Sequence, residues 1–261
     1  MDFYLKAGIT MENDREKKYV YFIYDGTFAG FLTSVYEAYY SKYIPDKIIK
    51  KNDFAPGLFS RNVEIKTDKE KFDKVYTAIQ QKISKQILKT VYYAFLSETA
   101  DIETALYKYL KLGFKVGKKV EDFLTRPEVR KVQDYSRKVS REKHRLQGLI
   151  RFRQTEADIL YAPLEPDYDI IALLSNHFKK RMTNQKWIIH DKKRSKVVLY
   201  NGEEVVITEM KKLELEYSGE EFLYQELWQE FFDTIAVKKR KNLKLQKQYM
   251  PVRYWKYLVE K

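Results

Sequence analysis

The sequence predicts an α+β protein: a mostly antiparallel sheet of order β-β-α-β-β-β in the second half, packed with a largely helical first half. Three observations carry this. Apolar residues recur at helical spacing before residue 145, and short β-branched or aromatic segments bounded by turn residues follow Gly148. A composition of 44% apolar residues with only 9 Gly and 6 Pro excludes a disordered or fibrous chain. The 261 residues suffice for one large domain or two small ones. A soft boundary near residue 120 separates an N-terminal strand-helix and helical region, 1–120, from a basic α+β region with C-terminal helices, 121–261, one continuous domain being the alternative.

Tyr19–Tyr24 reads as a strand that ends at Asp25-Gly26-Thr27, and Phe28, Phe31, Leu32, Val35 and Tyr39 then give a helical stripe. A second strand is expected at Asn62–Lys66, with Thr67-Asp68 capping a helix buried through Phe72, Val75, Tyr76, Ile79 and Ile83. Helices follow at about 85–97 and 101–112, and Gly113–Gly117 reads as a helix end. Thr125-Arg126-Pro127-Glu128 combines a capping box with first-turn proline and opens a long helix to about His144. The sheet is then Leu149–Phe152, Ile159–Ala162, Lys186–His190, Lys196–Tyr200 and Val205–Thr208, interrupted by a helix at Asp169–Met182. Asn201-Gly202 closes a hairpin, and Ser218 with Glu221 forms a capping box before a last amphipathic helix.

Charge is unevenly placed. Residues 126–196 carry 18 bases against 9 acids, whereas residues 197–261 are balanced. A polyanion such as nucleic acid fits that block, since each neutralised phosphate releases counterions; a solvated basic surface is the plain alternative. The absence of cysteine removes disulfides, thiol nucleophiles and cysteine-ligated clusters. With neither a signal-peptide stretch nor 18 consecutive apolar residues, the protein is placed in the cytoplasm, with no membrane partner.

Two groups of residues carry candidate chemistry. The first is a scatter of imidazoles and carboxylates, His144, Glu156, Asp158, His177, His190 and Asp191, which could serve as acid and base or hold magnesium if they meet in one cleft; no spacing indicates a preformed metal site, and no cofactor is expected. The second is basic and aromatic. Arg141, Lys143 and Arg145 end one helix, and Arg151 and Arg153 flank Phe152 on one face of a strand. Lys180 and Arg181 end the inserted helix, Trp187 follows, and Lys193 and Arg194 sit in a hairpin. The guanidinium groups fork phosphates and Trp187 stacks on bases if these ends converge, or Trp187 is core and the arginines belong to a buried ion-pair network. Lys238-Lys239-Arg240-Lys241 is a second basic run. Tyr24-Asp25-Gly26-Thr27 resembles the haloacid-dehalogenase signature, but Ile23 stands where its nucleophilic aspartate belongs, which leaves a helix-capping turn.

Tyr21–Leu32, Arg141–Phe152, Leu164-Glu165-Pro166-Asp167, His177–Asp191 with Arg194, and Tyr254–Leu258 together resemble a bacterial family of unknown function labelled "probable DNA metabolism protein". Members of that family are paired with a radical-SAM protein assigned to DNA modification or repair, and a longer form is fused to a uracil-DNA-glycosylase-like domain. The resemblance implies that context and supplies no catalytic residue. The reading it favours is a nucleic-acid-binding accessory protein that presents DNA to a separate catalytic partner. A metal-assisted hydrolase or base-processing enzyme, and a purely protein-binding scaffold, are the alternatives.

The sequence also predicts one concave basic surface bordered by His144, Arg145, Arg151, His177, Arg181, Asp191 and Arg194, with Asp191 extending an arginine toward phosphate.

Overall fold

The computed structural model describes residues 19–56, 60–210, 216–235 and 242–260. The basic run at 238–241 lies outside the described residues. The chain divides into two compact units, Met1–Leu88 with Glu103–Leu124, and Lys89–Ile102 with Thr125–Lys261. Among the described residues, no helix is long and apolar enough to cross a membrane.

Unit 1 is built on a parallel sheet of order β2-β1-β3, with β1 at Tyr19–Tyr24, β2 at Lys47–Lys50 and β3 at Ser60–Glu64. Helices α1 (Phe28–Tyr40) and α2 (Lys69–Ala78) pack on each other. Between β1 and α1 the carboxylate of Asp25 accepts from the Thr27 amide and hydroxyl at 2.9 and 2.8 Å and from the Thr67 hydroxyl at 2.6 Å. Burial would raise Asp25; the Thr67 and Thr27 donors outweigh it and hold the carboxyl below its usual range. Thr27 is the N-cap of α1, accepting from the Gly30 amide, so the signature-like turn is a capping turn. A Cβ on Gly30 would lie 2.2 Å from Asp25 Oδ1 and 2.8 Å from Thr67 Oγ1. Gly30→Ala is therefore expected to break this network and cost about 1–3 kcal/mol by urea denaturation; an unchanged midpoint would show that the turn yields without loss.

Helix α3 (Lys85–Phe95) leads out of unit 1, and α4 (Ile102–Val116) leads back, ending at Gly117 with φ +65°. In unit 1, Glu103 of α4 accepts from the Tyr24 hydroxyl at 3.0 Å, and Thr104 accepts from the Ile48 amide of β2.

Unit 2 begins its main body with α5 (Pro127–Leu149), which buries Val129, Val132, Val139 and Leu146. Arg126, not Thr125, occupies the N-cap position and makes no side-chain cap, while Pro127 starts the helix as expected. The helix ends only at Leu149, residues 150–152 of the expected strand Leu149–Phe152 form no strand, and β4 is only Arg153–Gln154. The other elements are β5 (Leu160–Leu164), α6 (Ile171–Arg181), β6 (Trp187–Asp191), β7 (Lys196–Tyr200) and β8 (Val205–Glu209), in the spatial order β4-β5-β6-β7-β8. Three of the four pairings are antiparallel; β5 and β6 are parallel because α6 carries the chain back to the starting end of the sheet. Asn201 turns the last hairpin by accepting from the Glu203 and Glu204 amides.

Helices α7 (Gly219–Ile235) and α8 (Leu243–Tyr249) and a short 3-10 turn, Val252–Tyr257, complete the described chain. The expected capping box at α7 does not form. The Glu221 carboxylate instead accepts from the Gln154 amide at 2.7 Å, tying α7 to β4.

Candidate nucleic-acid interface

Strand β6 alternates strictly, and its alternation decides the fate of several candidates. Trp187 faces Phe178 of α6 and Phe152, with Tyr200 at 5.2 Å between ring centroids, and it is fully buried. It stacks on core rings and cannot stack on a base, which corrects its assignment to the nucleic-acid interface. His190 and Asp191 project to opposite faces. His190 Nδ1 meets the Tyr161 hydroxyl at 2.9 Å on one face, and burial followed by the Lys192 charge keeps its pKa low. Asp191, fully buried on the other, accepts from the amides of Lys193 and Arg194 and from Arg194 Nη1 at 3.0 Å.

Arg194 is therefore spent inside the protein. Its Nε pairs with Glu98 at 2.7 Å, and the rest of its fork donates to the Pro166 and Asp167 carbonyls. Asp191 does orient an arginine, as the sequence predicts, but inward, because four of the five N–H donors on its planar fork are taken by Glu98, Pro166, Asp167 and Asp191 itself. Arg151 is lost likewise: it pairs with Glu260 at 2.5 Å and lies over the Trp228 ring. Arg153 packs over Tyr217, with its Nε buried. The pair of arginines on one strand face is thus not present, since Arg151 precedes β4.

Three carboxylates hold the C-terminal turn to this framework. Glu142 of α5 accepts from the amides of Asp167 and Tyr168 at 2.8 and 3.0 Å and from the Tyr254 hydroxyl. Glu165 accepts from Lys256 at 2.6 Å and Tyr257 at 2.7 Å, and Glu260 receives Arg151 and the Trp228 indole. These residues make up much of the sequence blocks that carry the family resemblance, and their visible role is structural. Lys256 and Tyr257 lower the pKa of Glu165; at Glu260 burial pushes upward, but Arg151 outweighs it. Both folded-state values lie below the ordinary 4.5. The clamp's contribution is therefore complete above the ordinary carboxylate range and is lost as pH falls through the depressed values. Below about pH 4 the indole N–H signals of Trp228 and Trp255 should shift in NMR spectra before that of Trp187; simultaneous movement of all three would contradict separate release of the clamp.

The cations that remain lie on α5 and α6, which pack together. Arg141, Lys180 and Arg181 are exposed, and Lys143 and Arg145 are half-buried; among the described residues no carboxylate pairs with any of the five. Lys143 reaches the Tyr93 hydroxyl at 3.4 Å. His177 reports the resulting field: burial first, then Arg181 and Lys143, lower its pKa below the ordinary 6.5. Its Nε2 is buried without a partner among the described residues. Burial and these two cations thus disfavour the charged imidazole. Lys193 is exposed on its hairpin, where its side chain lies 3.5 Å from the Asp167 carbonyl.

The six acid–base candidates are not brought together. His144 is exposed on α5, Glu156 and Asp158 are exposed in the β4–β5 turn, and Asp158 adopts φ +55° there while accepting from Gln154. Among the described residues, no three His, Asp or Glu side chains are grouped to hold a metal ion. Of the predicted concave surface, His177 and Arg181 stay together, joined by Lys143, whereas Asp191 is buried and Arg151 and Arg194 are half-buried and paired with carboxylates. The sequence gives no sign of the clamp, because its carboxylates meet partners up to 112 positions away.

A family described as a domain of unknown function, DUF4130, matches residues 100–260. Neither the curated proteins nor the solved structures give a match.

Proposed function

The chain belongs to the DUF4130 family, a domain of unknown function, and we propose that it is a nucleic-acid-binding accessory protein of DNA repair or modification that holds DNA for a separate catalytic partner. One observation carries the reading: Arg141, Lys143, Arg145, Lys180 and Arg181 lie on two packed helices, and among the described residues no carboxylate pairs with any of them. Phosphate is the natural counter-charge for such a face, which spans two packed helices and so holds its cations at fixed spacing. The resemblance to DNA metabolism proteins supports DNA as the polyanion and a radical-SAM protein as the partner. Since the sequence has no cysteine, a thiolate-held iron–sulfur cluster would belong to that partner.

The test is linkage. If the face takes four phosphates, the logarithm of affinity for DNA falls with the logarithm of salt at a slope of about −3.6. Phosphate also screens Lys143 and Arg181, so the His177 pKa rises on binding and affinity increases as pH falls through its range. NMR titration of the His177 ring with and without an oligonucleotide reads this directly. A flat salt response, or a His177 titration unmoved by DNA, would overturn the assignment.

A further inference from the structure

Unit 1 contains a cavity of about 520 Å³ between α1 and α2, closed on one side by Phe114 of α4. Its walls are aromatic. Tyr36 and Tyr40 lie with ring centroids 4.5 Å apart, and Tyr39 meets Phe114 edge-on at 5.9 Å. Tyr40 is 76% exposed and Tyr39 45% exposed, so large ring surfaces are left open to solvent. Two exposed lysines of the lining, Lys74 and Lys82, supply positive charge, and Lys74 Nζ stands 5.9 Å from the Tyr36 ring centroid. Among the described residues, no carboxylate lines the cavity. Glu37, beside it on α1, is neutralised by Lys71 at 2.6 Å.

The volume is that of a small-ligand site, and the lining selects for a molecule that is flat at one end and anionic at the other. Tyrosine faces stack on any planar ring, whereas lysines without acidic partners select a negative group. A nucleotide has both. We propose that this cavity takes one unstacked nucleotide of single-stranded DNA, its base against Tyr36 and Tyr40 and its phosphate at Lys74 and Lys82. The choice of a strand over a free nucleotide rests on the proposed function, but the cavity shares no residue with the α5–α6 face.

The experiment compares full-length protein binding to fluorescein-labelled oligodeoxythymidine and to an abasic strand of equal length and charge. Tyr40→Ala, at an exposed position, should weaken the thymidine strand by about fivefold or more and leave the abasic strand unchanged. Lys74→Glu with Lys82→Glu should weaken both. Equal affinity of the unaltered protein for the two strands, or no effect of Tyr40→Ala, would overturn the proposal. So would thymidine monophosphate binding as tightly as the strand with the same sensitivity to Tyr40→Ala, since the ligand would then be a free nucleotide. If Lys143→Gln with Arg181→Gln weakens DNA binding about 30-fold while Tyr40→Ala has no effect, only the cavity assignment fails; if neither acts, the proposed function fails with it.

Discussion

Replacing Glu142 with alanine should destabilise the protein by about 3–5 kcal/mol, the largest loss expected from a single side chain in unit 2. The carboxylate is 2% exposed and stands where α5, the Asp167-Tyr168 turn and the C-terminal turn meet. Removing it orphans two backbone amides and the Tyr254 hydroxyl at once, and a buried donor left unmade costs more than its hydrogen bond contributed. Tyr254 cannot compensate by ionising, because burial, the largest cause raising its hydroxyl above the usual phenol range, remains after Glu142 is removed. Arg253, with Asp167 at 2.8 Å, would keep only the outer part of the contact. Glu142→Gln retains one acceptor oxygen and should lose roughly half as much. Urea denaturation followed by circular dichroism measures both. A loss under about 1 kcal/mol for Glu142→Ala would mean that water replaces the carboxylate at an open junction.

How far the sequence could reveal this arrangement depends on the range of each interaction. Caps, turns and alternation act within a few residues, so α1, α2, β7 and the Asn201 turn were legible from Thr27, Asp68, the run Lys196–Tyr200 and Asn201-Gly202. Strand β2 was not, because Lys47-Ile48-Ile49-Lys50 is four residues long with charged ends and owes its conformation to pairing with β1. The end of α5 is not legible, because Leu149-Ile150-Arg151-Phe152 is short, β-branched and aromatic like a strand, while the helix closes through the Ile150 amide on Leu146. Arg194 and Arg151 looked like phosphate ligands for a related reason. A basic residue in sequence carries no sign of the acid that will meet it, and Glu98 and Glu260 are 96 and 109 positions away. What survives as a candidate site is the part set by helix geometry, His177 and Arg181 one turn apart on α6.

That surviving part makes the sharpest functional prediction: Lys143→Glu combined with Arg181→Glu should weaken DNA binding by about 100-fold near physiological salt. At 0.15 M each counterion release is worth about a factor of five, so two lost phosphate contacts account for about 30-fold. Repulsion from the reversed charges supplies the remainder. The slope of affinity against salt should also become shallower by about two. Folding is protected by the positions chosen, since neither cation has a carboxylate partner among the described residues, in contrast to Arg151 and Arg194. Reversal at Arg194 would place a carboxylate beside fully buried Asp191 and unfold the hairpin before it reported on DNA. The neutral pair Lys143→Gln with Arg181→Gln supplies the same test without repulsion and should retain the 30-fold loss. In both variants His177 should titrate nearer its ordinary value, because the two charges that depress it after burial are gone. If His177 shifts in that way while affinity and salt slope stay as in the unaltered protein, the field on α5 and α6 is real and DNA does not use it.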